Sequence, residues 1–221
     1  MFMRIHDLLE IDAELFLQAD AALLPWVGAS VRKTPYVVVR RGPLSEQNIP
    51  VGVRGAQRSE RWAGFCCADR VRRVLTPQAL LGQPIPLSRS MDVPALRSVP
   101  LLAERWRHVG IPWGPGGSVG FELATGREVV RPQSDLDIVM YAERVMIPGE
   151  AKELLDSAQG LPAAVDIRVE TPACGFSLLE YAGRAPERIL LRTAAGAVLG
   201  HDPWDCAGGT SAWALDVAAH R

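Results

Sequence analysis

Lysine is nearly missing from this 221-residue chain, present only at Lys33 and Lys152, so almost all of its positive charge is arginine. Arginine suits bidentate binding of phosphate or carboxylate, though a GC-rich coding bias leaves the same imprint. A basic excess is missing too. The formal net charge of -1 argues against a chain devoted to gripping long nucleic acid, which carries a clear surplus of cations. No apolar run approaches the ~20 residues that span a bilayer. Asp7, Glu10, Asp12 and Glu14 also interrupt the stretch where a signal-peptide core would lie, so the expected location is the cytoplasm, away from the membrane. The four cysteines, Cys66, Cys67, Cys174 and Cys206, form no C-x-x-C pair. Buried or free thiols are therefore expected rather than a zinc site. Internal repeats and low-complexity tracts are absent as well. What remains, 48% apolar and 22% charged residues, is the composition of a folded protein with room for one large domain or two small ones.

Apolar spacing predicts a helix over 11–24, then a strand at Tyr36–Val39 and a second at 50–54, joined as a hairpin through a Gly-Pro loop. Residues 61–74 read as another helix, with Trp62, Phe65 and Cys66 on one side. The stretch 76–94, rich in Pro, Gly and Ser, reads as a linker. Ser98 reads as a helix cap with Pro100 in the first turn. These features place a small α+β amino-terminal domain over 1–85 and a second domain over 86–221. In the second domain a glycine-rich turn at 114–120 leads into a short helix. Strands at 135–141 and 164–170, separated by a helix at 150–159, and a hairpin at 189–199 make a mixed sheet with helices against it, an α/β or α+β domain.

The segment Ser-Asp-Leu-Asp-Ile-Val-Met at 134–140 is the most informative stretch. In a strand its side chains alternate, so Asp135, Asp137 and Val139 point one way while Leu136, Ile138 and Met140 pack on helices. Two aspartates ~7 Å apart along a strand can converge on a divalent cation, and hard carboxylate oxygens suit Mg²⁺ or Mn²⁺. A solvated edge strand shows the same pattern. Upstream, Gly117 and Ser118 fall where a helix starts, so backbone N–H groups and a hydroxyl can face a phosphate; an ordinary capped turn has the same sequence. Downstream, Val165, Ile167 and Val169 alternate with Asp166, Arg168 and Glu170.

A glycine-serine turn, an Asp-x-Asp strand and a third acidic strand residue, in that order, resemble the nucleotidyltransferase superfamily that includes DNA polymerase beta. Here the connection from 119 to 134 is longer than usual for that superfamily and holds an inserted turn at 126–132. The strings WGPGGSVGFELATG, VRPQSDLDIVMYA, VDIRVETPACGFSLLEYA and HDPW, with HDLL, VVVRR and IPVGVRGAQRSERWAGF in the first half, are similar to the phosphoribosyl-dephospho-CoA transferases of malonate decarboxylase, its holo-acyl-carrier-protein synthases. That likeness covers nearly the whole chain. It implies a polymerase-beta-like catalytic domain that moves a phosphoribosyl-dephospho-CoA group from triphosphoribosyl-dephospho-CoA to a serine of the apo acyl carrier protein of malonate decarboxylase, releasing pyrophosphate. By the same resemblance Asp135, Asp137 and Asp166 hold the metal and carry catalysis, with Asp166 as the third carboxylate, and Gly117 and Ser118 position the phosphates.

Arg168 either touches the triphosphate or pairs with Asp166. His201 and Asp202 read as a structural turn, and Glu180 as a solvated helix charge. Arg54, Arg58 and Arg61 gather around a turn, suited either to an acidic carrier or polyanionic substrate or to a solvated helix start. Competing functions are a same-fold transferase acting on another hydroxyl, such as the citrate lyase carrier, and a non-catalytic nucleotide-binding protein.

Overall fold

Period-two burial, rather than helical spacing, organises the first half of the computed structural model, which describes residues 2–18, 23–42, 48–57, 59–184, 188–206 and 214–216. In this half lie strands β1 (Phe2–Arg4), β2 (Leu8–Ile11), β3 (Tyr36–Val39), β4 (Ile49–Arg54), β5 (Arg61–Cys66) and β6 (Val71–Leu75), with helices α1 (Ala13–Gln18) and α2 (Pro25–Lys33). Strands two to six form one antiparallel sheet in the order β5-β4-β3-β2-β6. Leu9, Ile11, Val37, Val39, Ile49 and Val51 are all but fully buried in one cluster with Val27 and Val31 of α2. Each such aliphatic side chain contributes roughly 1.5–3 kcal/mol of burial.

Two helix expectations change here. Ile11 ends β2, and Asp12 accepts the Leu15 N–H at 3.1 Å as the cap of the short helix α1; residues 19–22 lie outside the described residues. The stretch 61–74 is two strands joined by a 3-10 turn at Ala68–Arg70. Trp62 and Cys66 turn inward at period two, whereas Phe65, which helical spacing put beside them, is 53% exposed. The arginine cluster changes with it: Arg61 opens β5 opposite Arg54 in the hairpin register, and Arg58 lies outside the described residues.

Asp7 is wholly buried, and its Oδ1 has no hydrogen-bond partner among the described residues. Its Oδ2 accepts the Arg4 N–H at 2.7 Å. Burial pushes the carboxyl from 3.8 up to about 7, against the pull of that N–H and of the Arg4 charge. The folded state then holds a proton that the unfolded chain releases above 3.8, so stability falls as pH rises from there to about 7. The accumulated loss is on the order of 4 kcal/mol. Asp7→Asn is expected to remove this slope, read as amide-exchange protection of β2 and β3 between pH 5 and 8. A slope equal to wild type's would refute the assignment.

The second unit begins at Pro77, and the terminal strand β13 (Ala214–Asp216) pairs with β1 in the first unit. The expected break at 85–86 thus sits between Thr76 and Pro77. The supposed linker is instead part of the second unit, as α3 (Pro77–Leu80) and α4 (Leu87–Asp92). Leu80 is buried, and the Pro77 carbonyl lies so close to Gly114 that a Cβ there would meet it at 2.0 Å.

The chain continues as α5 (Pro94–Arg105), β7 (Trp113–Pro115), α6 (Gly117–Thr125), β8 (Leu136–Tyr141), α7 (Pro148–Ser157), β9 (Val165–Glu170), β10 (Gly175–Ser177), α8 (Leu178–Arg184), β11 (Ile189–Thr193) and β12 (Gly196–Gly200). Ser98 is not a cap. It lies inside α5, where its hydroxyl donates to the Pro94 carbonyl at 2.8 Å and accepts the Ala163 N–H at 3.1 Å. The strands form a mixed sheet in the order β12-β11-β10-β9-β8-β7, whose single parallel pair, β8 with β9, is joined through α7. Leu136, Ile138, Met140, Ile167, Val169 and Phe176 form the buried face, packed with Val99 and Leu102 of α5 and Ala151 of α7. None of the four cysteines is in a disulfide, and burial, with Cys67 beside it, pushes the Cys66 thiol up to about 12. Among the described residues no helix is long and apolar enough to cross a membrane.

Candidate functional site

The parallel pair sets the acidic residues. In its register Leu136 faces Val165, Asp137 faces Asp166 and Ile138 faces Ile167. Asp137 and Asp166 are therefore neighbours on one face, roughly 5 Å apart at the backbone. Asp135 stands exposed one residue ahead of β8, Asp137 is half-buried and Asp166 is exposed. The rest of that face is not open, as alternation alone suggested: Val139 and Tyr141 are 3% exposed and Glu170 is 2% exposed. Only the end where the two strands begin offers carboxylates to solvent. Two like charges held side by side repel, and a bound cation would relieve that repulsion.

The glycine-serine turn comes to the same place. The Gly116 N–H donates to the Asp137 carbonyl at 2.9 Å, which ties the turn leaving β7 to β8. Gly117 opens α6 with φ +54, and a Cβ on it would lie 1.8 Å from Asp137 Oδ2. The carboxylate thus rests on bare backbone, a packing that no residue but glycine permits. Ser118 is half-exposed in the first turn of α6, where the helix terminus favours an anion.

The inserted turn at 126–132 is organised by a residue that motif reading passed over. Glu122, on α6 and 7% exposed, accepts the Val129 and Val130 N–H groups at 2.8 Å each. Arg89 of α4 binds both of its oxygens, at 2.9 and 3.0 Å, and donates to the Val130 carbonyl at 2.9 Å. Helix α6 and the segment leading to Asp135 are locked by one fork. Its only sequence signal was a glutamate in an otherwise apolar helix. Burial alone would raise the Glu122 carboxyl, but the Arg89 bond and the two N–H bonds outweigh it and hold it below its ordinary value. A depressed carboxyl contributes stability above its unfolded value of 4.5 that is lost as pH falls through the folded one. Arg89→Ala is expected to cost about 3 kcal/mol by leaving a buried charge unpaired, and to flatten the acid limb of a urea-midpoint profile. A loss too small to resolve would show that solvent already carries that charge.

Arg168 lies two residues beyond Asp166 on the same face, opposite Ser177 of β10. Among the described residues it forms no ion pair with Asp166. Glu180 is half-buried and accepts the Leu190 N–H at 3.3 Å, bracing β11, so it is not the solvated charge expected. Asp202 accepts the Trp204 and Asp205 N–H groups, the structural turn expected for His201-Asp202.

No group of three His, Cys, Asp or Glu side chains is gathered tightly enough to hold a metal among the described residues. The donors at the strand ends are hard oxygens on two adjacent strands, which suits an ion that takes one or two carboxylates and completes its shell from water and substrate phosphates, as Mg²⁺ does.

Comparison with known proteins covers both units. A family model described as the phosphoribosyl-dephospho-CoA transferase MdcG C-terminal domain matches residues 81–203, and one described as the MdcG N-terminal domain matches residues 4–77. The phosphoribosyl-dephospho-CoA transferase of Pseudomonas aeruginosa PAO1 is 37% identical, over 90% of this chain and 92% of that protein. The protein of that name in Pseudomonas putida W619 is 38% identical over 90% and 94%. The one in Klebsiella pneumoniae 342 is 36% identical over 91% and 96%. No solved structure matches this chain.

Proposed function

The chain belongs to the phosphoribosyl-dephospho-CoA transferase family and is a transferase, and from that premise we propose that its acceptor is a serine of the apo acyl carrier protein of malonate decarboxylase. The donor is triphosphoribosyl-dephospho-CoA, and the reaction belongs to the cytoplasm. The observation that carries this reading is the register that sets Asp137 beside Asp166, with the backbone of Gly117 against the Asp137 carboxylate.

The serine Oγ attacks the phosphorus attached to the ribose. An O–P bond forms, the bond to the pyrophosphate oxygen breaks, and the serine proton goes to Asp166, which stands exposed at the mouth of the site. The obstacle is accumulated negative charge. Asp135 and Asp137, with Asp166, would hold Mg²⁺ or Mn²⁺, which supplies charge neutralisation at the phosphate oxygens. Ser118 and the N–H groups at the start of α6 orient the terminal phosphates, and Arg168 contributes a fixed cation on the same face.

Intact-mass measurement of the malonate decarboxylase apo carrier after incubation with enzyme, donor and Mg²⁺ tests the whole assignment: the mass is expected to rise by the phosphoribosyl-dephospho-CoA group. A citrate lyase carrier modified in preference to it, or a nucleotide added in its place, would overturn the proposed acceptor or donor. Chelation with EDTA is expected to abolish transfer, with Mg²⁺ or Mn²⁺ restoring it and Ca²⁺ doing so poorly because its ligand distances are longer. Full turnover in excess chelator would remove the metal from the reading.

A further inference from the structure

Resting on that reading of the site, we propose that Arg89 is a positioning residue for it: through Glu122 and the backbone of Val130, Arg89 fixes where the Asp135 carboxylate stands beside the other two. The three carboxylates are not held alike. Asp137 and Asp166 sit inside the parallel ladder as register partners, and the Asp137 carboxylate also rests against Gly117. Asp135 is exposed, stands one residue ahead of β8 and has no register partner in β7 or β9. Its position is therefore set by the segment that delivers it.

That segment, residues 126–135, buries one residue, Val130, at 4% exposure. Both backbone polar groups of Val130 are taken: its N–H donates to Glu122 and its carbonyl accepts from Arg89, each across less than 3 Å. From this fixed point the chain reaches Asp135 through a closed turn of four residues. The Ser134 N–H donates to the Arg131 carbonyl at 3.0 Å, and the Arg131 N–H donates to the Ser134 hydroxyl oxygen at 3.1 Å. So short a tether leaves Asp135 little freedom while Val130 stays in place. Glu122 lies five residues beyond Gly117 on α6, roughly 7.5 Å along the axis, so one helix touches Asp137 at its start and holds the approach to Asp135 further on. Arg89 makes that hold rigid, because a guanidinium that binds both oxygens fixes the plane of the carboxylate. Carboxylates that share one hard cation must meet its ligand distances to within about 0.2 Å, and groups that orient such ligands commonly account for about 10–100-fold in metal affinity.

Titration of the full-length chain with Mn²⁺ alone, read as the electron paramagnetic resonance of the free ion, tests this without turnover. Arg89→Lys keeps a cation beside Glu122 and loses the fork; it is expected to weaken Mn²⁺ binding by about tenfold or more. The Mg²⁺ concentration for half-maximal transfer should rise in step. Ser134→Ala, which opens the turn nearer Asp135 without touching the fork, should weaken Mn²⁺ binding several-fold and decides the matter alone if the lysine variant does not fold. Leu191→Ala, which removes a buried side chain from β11, is the control: it costs stability and should bind Mn²⁺ as wild type does. Wild-type affinity in folded Arg89→Lys or in Ser134→Ala, or an equal loss in folded Leu191→Ala, overturns the positioning role. A wild-type chain that binds no Mn²⁺ overturns the metal reading and this role with it. Failure of the carrier to gain mass would sink the proposed reaction and leave the Mn²⁺ result standing.

Discussion

Replacing Asp137 by asparagine is expected to lower transfer by about 10³-fold, several kcal/mol of lost transition-state stabilisation, while the melting temperature stays level or rises. The two halves of that result have one cause. Asp137 is the register partner of Asp166, and the strand puts Asp135 two residues away. Like charges at that spacing oppose folding, so neutralising the middle one relieves repulsion. An amide is also a poor ligand for a hard cation, so the same change removes what the repulsion is kept for. A residue whose loss stabilises the fold and stops the chemistry is a functional residue by the usual trade. Turnover by Asp137→Asn within a factor of about ten of wild type at saturating Mg²⁺ would argue that the carboxylate pair is structural, whatever the melting curve does.

How far the sequence could be read follows the length scale of each signal. Alternation over 164–170 and the apolar run at 36–39 have a short, strict period, and both strands formed where expected. The stretch 61–74 misled because Trp62, Phe65 and Cys66 satisfy helical spacing as well as a strand with Phe65 turned outward; only cross-strand pairing with β4 decides between the two. The Pro-rich stretch 76–94 misled because proline forbids long helices without forbidding two short ones that begin at a proline or just after one. In the site, spacing along one strand was legible, and so was the likeness of the flanking strings. Contacts between distant segments were not. The Arg89–Glu122 fork joins positions 33 apart in sequence. It leaves no periodic trace, and Arg89 looks in sequence like any other arginine.

Gly117→Ala is expected to remove transfer nearly as completely as the loss of Asp137, and Gly126→Ala serves as its matched control. Both glycines have positive φ, +54 and +69, where an L residue costs roughly 1–2 kcal/mol. The two variants should therefore lose stability to a similar degree. Their surroundings differ. A Cβ at Gly126 meets nothing within 4 Å, whereas one at Gly117 would lie 1.8 Å from Asp137 Oδ2 and 2.7 Å from its Cγ. Accommodating it requires the carboxylate to swing away from Asp166 or the start of α6 to lift from β8. Either movement separates the phosphate-facing turn from the acidic pair, and displacement of about an ångström is enough to cost 100-fold in rate. Folded Gly126→Ala should transfer at close to the wild-type rate, while folded Gly117→Ala should be at least about 100-fold slower and need more Mg²⁺ to reach half of its own maximum. Equal activity in the two variants, at equal stability, would mean that the contact between Gly117 and Asp137 plays no part in catalysis.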